Sequence, residues 1–183
     1  GKRYAELLAR HGITVQLRNT QGSAENLALL QQPGSGVDIA FVQGGTWQKP
    51  AGADADADPG LQSLGRMFHE PVWLFYRTDS ARRLAKAPQI TRLAQLAGGT
   101  LNVGAPGSGV PPLMQAMLDA NRIAPGAITL QQQPTTPAVV DLLAGKIDAL
   151  ALASAPESLM VQMLLQTPGI ALFDVAQAEA YSR

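Results

Sequence analysis

The chain has 183 residues, 46% of them hydrophobic, which is long enough to bury a core and too apolar for a disordered segment. Its 14 basic side chains balance 14 acidic ones, so no long-range field draws in nucleic acid or an anionic membrane. The absence of cysteine removes disulfides, thiolate nucleophiles and cysteine-ligated zinc, and no apolar run approaches the roughly 18 residues that a membrane span needs.

In chain order, "YAELLARHG" (4–12) predicts a helix, with His11 as a cation at its carboxyl end, and "ITVQL" from Ile13 a strand. The polar loop "RNTQGS" (18–23) then leads into a helix signalled by Ser23, with Leu27 and Leu30 on its apolar face and Gly36 as its breaker. "VDIAFV" (37–42) reads as the next strand. The small-residue stretch "PAGADADADPG" (50–60) predicts an exposed loop. "EPVWLFYRT" (70–78) is a connecting strand, and "LNVGA" (101–105) a further strand that enters the glycine-rich loop "GAPGSG" (104–109). "LMQAMLDANRI" (113–123) is helical. From Ile128 a strand, the loop "QPTT" (133–136), a helix signalled by Thr136 and Pro137 with Val139, Leu142 and Leu143 apolar, the breaker Gly145 and the strand "IDALAL" (147–152) complete the reading.

Two stretches of this chain echo one another. Strand, polar loop, helix, glycine and strand recur from Ile13 and from Ile128, each preceded by a helix. Each copy predicts a βαβ unit with parallel strands, because the connection is long enough for a helical crossover. The second copy also has "LNVGA" and its loop in front; the counterpart in the first copy would lie before Gly1, so an amino-terminal strand is expected to be missing. Two α/β lobes result, residues 1–75 and 76–183, joined near Tyr76.

In open parallel sheets the crevice lies at the carboxyl ends of the strands, where helix amino termini offer free N–H groups to carboxylates or phosphates. "RNTQGS", "GAPGSG" and "QPTT" all fall there. Ser23 and Ser108 are placed either to cap their helices or to turn their hydroxyls to a ligand. A phosphate-transfer loop is excluded, because Val110, Pro111 and Pro112 stand where lysine and a hydroxyl are required. Asp54, Asp56 and Asp58 have calcium-loop spacing, but Pro59 and Gly65 occupy the positions that need glycine and glutamate, so a solvated loop is expected. His69 and Glu70 lack a second histidine and read as a junction. Trp47 is placed at the cleft mouth; Trp73, Phe75 and Tyr76 are core or cleft lining. No nucleophile, base and orienting group form a set, so neither an enzyme nor a cofactor is expected.

"TQGSAENLALL", "VDIAFVQGG", "EPVWLFYR", "GAPGSG" and the tail "TPGIALFDVAQAEAYSR" together resemble the TAXI-type solute receptors of TRAP transporters, bacterial members of the type II periplasmic-binding-protein superfamily. The resemblance runs over nearly the whole chain. It implies an α/β, two-lobed type II fold, each lobe a mainly parallel sheet flanked by helices, with an amino-terminal strand and a carboxy-terminal return segment missing here. It implies capture of a small organic anion, a carboxylate, between the lobes, for membrane transporter subunits of TRAP type, in the periplasm or anchored facing it. Carried over by residue, the ligand contacts are Asn19, Thr20, Gly22, Ser23, Gln43, Gly44, Gly107, Ser108 and Gly109, with a hinge at Phe75, Tyr76 and Arg77. The chain departs from the family pattern after "GSG", where Val110, Pro111 and Pro112 replace a threonine often followed by a basic residue. Two other readings stay open: the ligand-sensing effector domain of a transcription regulator, and a receptor-like interaction module that has lost its solute.

Overall fold

The computed structural model describes residues 1–47 and 60–174. The expected solvated loop at Asp54, Asp56 and Asp58 and the end of the tail lie outside the described residues.

A mixed five-stranded sheet organises the carboxy-terminal part. Its strands are β1 (Val72–Arg77), β2 (Thr100–Asn102), β3 (Thr129–Gln131), β4 (Ala149–Ala153) and β5 (Ile170–Leu172), in the order β3-β2-β4-β1-β5. β2 runs parallel to both β3 and β4, whereas β1 runs antiparallel to β4 and β5. The connecting strand therefore belongs to the sheet and alone runs against the other four strands, which makes a mainly parallel sheet mixed. The crossover from β3 to β4 steps over β2, so the two strands of the second copy flank a third.

Helices α1 (Lys2–Ala9) and α2 (Ser23–Gln31) precede the sheet; the short turn α3 (Thr78–Ser80) follows β1, and α4 (Val110–Ala120), α5 (Thr135–Leu143) and α6 (Leu159–Gln166) follow β2, β3 and β4. Pro111 and Pro112 sit in the first turn of α4, where a missing N–H disrupts no helical hydrogen bond. α5 ends where expected, with Gly145 at φ +74° just past its cap. α2 stops earlier than its expected breaker at Gly36: Gln32, held extended before Pro33, is already out of the helix.

Alternation along the strands sorts the core into two layers. Leu74, Tyr76, Leu101 and Val103 pack with Val110, Met114 and Leu118 of α4 on one face; Phe75, Leu150 and Leu152 pack with Val139 and Leu142 of α5 and Val161 and Leu164 of α6 on the other. Across the β1–β4 ladder, Leu74 faces Ala151 and Tyr76 faces Ala149, so large side chains stand opposite small ones on the α4 face.

The amino-terminal part differs. Residues 13–17 and 37–42, expected as parallel strands, carry no strand ladder. In the second copy the equivalent segments, β3 and β4, pair with β2 and not with each other; no described strand lies between 13–17 and 37–42. A strand exists only with a partner, so the same type of sequence stays unladdered here. Among described residues of this part only Leu29 and Thr46 are buried, while Ile13, Leu17, Ile39 and Phe41 are exposed. Tyr4 of α1 packs edge-on against Phe41, ring centroids 6.0 Å apart.

Candidate functional site

Two loops from distant parts of the chain meet at one seam. Gly22, at φ +139°, caps α2, and Ser23 is the first helical residue. The first turn of α2 points its free N–H groups at the carbonyl of Gly107 in the "GAPGSG" loop: the amides of Ala24 and Glu25 donate to it at 3.1 and 3.2 Å. A helix amino terminus is an electropositive donor array, and here a backbone oxygen fills it. Gln21 N–H is taken by the Glu25 carboxylate at 2.7 Å.

Glycine makes this approach possible. A Cβ on Gly22 would stand 2.9 Å from Ser108 Cα, and one on Gly107, at φ +82°, would stand 2.8 Å from Gln21 Cβ. Gly109 is equally crowded, because a Cβ there would collide with the Gln43 side-chain carbonyl and lie 2.7 Å from the Thr46 methyl.

The serines serve the loops themselves. Ser23 Oγ accepts from the Gln43 N–H at 2.9 Å, which ties the turn after residue 42 to the start of α2. Ser108 Oγ donates to the Ala105 carbonyl at 2.7 Å and closes its own loop, and Gly109 is the cap of α4. Buried Thr46 donates to the Gln43 carbonyl at 2.6 Å. The structure thus gathers Gly22, Ser23, Gln43, Gly107, Ser108 and Gly109 at one place. Asn19 is exposed; Thr20 turns its hydroxyl to Asn26 at 2.6 Å, and a Cβ on Gly44 would meet nothing within 4 Å. Trp47, expected at the cleft mouth, is exposed one residue beyond Thr46.

Two polar supports of the sheet, Asn102 at the site's end of β2 and Asp148 at the opposite end, were not picked out from sequence. Asn102 is fully buried at the end of β2, where its side-chain carbonyl accepts from Gln133 N–H at 2.8 Å and its amide donates to Gln133 C=O at 3.3 Å. This clamp fixes the "QPTT" loop beside "GAPGSG". The available signal was a strand-disfavouring asparagine inside an apolar run. Asp148, before β4, accepts from Ser80 Oγ at 2.5 Å, from Thr100 N–H at 2.8 Å and from Arg83. Burial pushes its carboxyl up, yet the hydrogen bonds from Ser80, Thr100 and Arg83 and the Arg83 charge outweigh burial and hold it below the usual carboxylate range.

The residues expected as a hinge lie in a strand. Phe75, Tyr76 and Arg77 lie inside β1, laddered to β4 and β5, and Phe75 and Tyr76 are buried. Arg77 donates to the Leu142 carbonyl at 3.0 Å, capping α5, and to Asp79 at 2.5 Å. Bending at these residues would break the ladder, so the boundary near Tyr76 falls within a strand.

Among the described residues no cluster of three or more histidine, aspartate or glutamate side chains is placed to hold a metal. Nor is any helix among them long and apolar enough to cross a membrane. A concavity of about 620 Å³ lies away from the seam, lined by Phe68, His69, Glu70, Pro71, Ala155, Pro156 and Glu157.

The fold is α/β with a mixed five-stranded sheet. The chain belongs to the NMT1-like family, whose model matches residues 1–182. No curated protein sequence matches it. Among solved structures it is similar to an ancestral arginine-binding protein bound to arginine (14% identity, TM-score 0.42, 58% of this chain and 42% of that one). It is similar also to the amino-acid ABC transporter substrate-binding protein AbpA of Streptococcus pneumoniae bound to L-arginine (17% identity, TM-score 0.39, 59% and 39%). A third likeness is to an ABC transporter periplasmic binding protein of Brucella ovis with glutathione bound (19% identity, TM-score 0.43, 57% and 30%). The chain thus spans less than half the length of each of these proteins.

Proposed function

We propose that this protein is an extracytoplasmic receptor that captures a small organic anion, a carboxylate, between two lobes and presents it to a membrane transporter of TRAP type, as a TAXI-class receptor does. The observation that carries this reading is the seam: the amino terminus of α2 faces the "GAPGSG" loop more than 80 residues away in sequence, and the α2 amides already hold a carbonyl oxygen. An anion's oxygen satisfies the same donors. Ser23, Gln43 and Ser108 are the seam residues assigned to the solute, together with Asn19, Thr20 and Gly44 of the adjoining loops. The lobes divide ahead of the sheet, before Val72. A solute that touches both lobes shifts the population toward closure by its differential affinity for the closed form.

A thermal-shift screen against amino acids, mono- and dicarboxylates, phosphate and sulfate tests this. A solute at a hundred times its Kd stabilises by about 2.7 kcal/mol, a rise of several degrees for a chain of this size. The expected result is a rise with carboxylates and none with neutral or cationic analogues; no rise with any anion contradicts it. A second reading, a receptor-like interaction module without a solute, is favoured by Pro111 and Pro112, which withdraw two N–H donors from the α4 side of the seam. The same screen separates the two.

A further inference from the structure

The sheet has an open edge. β3 pairs with β2 on one side, and in the order β3-β2-β4-β1-β5 no described strand covers its other side. Thr129 N–H donates to Gly99 C=O and Gln131 C=O accepts from Val103 N–H, so these two residues face β2; in a parallel ladder the residue between them turns its own N–H and C=O outward. That residue is Leu130, and among the described residues no loop bonds to its main chain. Its side chain is 39% exposed. A concavity of about 450 Å³ adjoins it, lined by Gln115, Leu118, Ile123, Pro125, Ile128 and Leu130. Natural sheet edges are guarded by lysine, by proline within the strand or by a covering element, yet β3 reads Thr-Leu-Gln and the chain carries no charged residue from Ile123 to Val140.

We propose that β3 is a self-association edge: two copies of this chain pair their β3 strands antiparallel about a two-fold axis at Leu130 and join their five-stranded sheets into one. A residue set opposite itself in an antiparallel pair exchanges both main-chain bonds with its counterpart, and Leu130 presents the two groups that this needs. Opposing side chains of such a pair share one face of the sheet. Leu130 of each copy therefore lies beside the other's, on the face that carries Ile128 and α4, next to the concavity. Because the edge is neutral, a second copy meets no like charge across the axis, while a charged partner strand finds no counter-charge there. A strand of three residues supplies few main-chain bonds, so burial of Leu130 and of the concavity has to supply most of the attraction, and the pair is weak and concentration-dependent. This inference does not rest on the receptor reading.

Sedimentation equilibrium of the unmutated protein tests this over concentrations from about 1 µM to about 1 mM, where weak pairs dissociate. A monomer–dimer equilibrium is expected. Leu130→Lys sets two like charges opposite each other and is expected to weaken the dimer at least tenfold, whereas Val140→Lys, at a 57% exposed position of α5, leaves it unchanged. The chain has no cysteine, so an introduced thiol has no competitor. Leu130→Cys is expected to give a disulfide-linked dimer under mild oxidation, because Cα atoms of a hydrogen-bonded antiparallel pair stand about 5.5 Å apart, within disulfide reach; Val140→Cys is expected to stay unlinked. A monomer at every concentration overturns the proposal and leaves the edge to a strand of another protein. A dimer that Leu130→Lys leaves as tight as before overturns it as well. If Leu130→Lys does not fold, the thiols decide: Leu130→Cys linking no faster than Val140→Cys overturns the pairing.

Discussion

Asp148 shows how one side chain joins distant parts of the sheet. Its carboxylate collects Ser80 from the turn after β1, the Thr100 amide at the start of β2 and Arg83, while its own main chain bonds across to Arg77. Gly99 lies against it so closely that a Cβ there would stand 3.0 Å from its Oδ2. Because the folded carboxyl titrates lower than the unfolded one, its contribution is complete above about pH 4 and is lost as pH falls through the folded value. Asp148→Ala is expected to cost about 2–4 kcal/mol at neutral pH, since the Thr100 amide and Ser80 lose their acceptor. Chemical denaturation as a function of pH checks this: the gap between variant and parent should narrow only in acid. A gap independent of pH would mean that packing, not the carboxylate charge, is responsible. Neither this residue nor Asn102 was evident in the sequence as a support, because their partners lie 31 to 68 positions away and only the fold brings them together.

At the scale of elements, the strands of the carboxy-terminal part were legible because each is a short apolar run between turn residues. β4 is the clearest: Leu150 and Leu152 alternate with alanines, and the alternation matches the two core layers. Leu150, fully buried against the α5 and α6 face, predicts that Leu150→Ala destabilises by about 2–5 kcal/mol. Urea unfolding measures it, and a loss below about 1 kcal/mol would contradict the central position given to β4. Strand direction was not legible, since nothing in "EPVWLFYRT" distinguishes a strand that runs antiparallel from one that runs parallel. Nor could the pattern of the first copy reveal that 13–17 and 37–42 stay unladdered. Apolar alternation reports a face, whereas a ladder depends on a neighbour elsewhere in the chain.

The whole molecule is uneven. A two-layered core backs the sheet from Val72 to Phe173, while exposed Leu64, Met67 and Phe68 join Ile13, Leu17, Ile39 and Phe41 as apolar surface outside it. The seam is the place where this less-buried part is held to the loop after β2 by specific bonds, from the Ala24 and Glu25 amides to the Gly107 carbonyl. Its loops were recognisable in the sequence as "RNTQGS" and "GAPGSG". Their direct contact was not, because glycine allows a close approach without specifying the partner. The central claim is that this seam is where a solute anion binds. Its most direct test is an amide chemical-shift titration of the protein with L-glutamate and with sulfate. The account predicts that the largest shifts fall on Ala24, Glu25 and residues 107–110. Shifts confined to the concavity around Phe68 and Glu157, or no saturable shift with either anion, would contradict it.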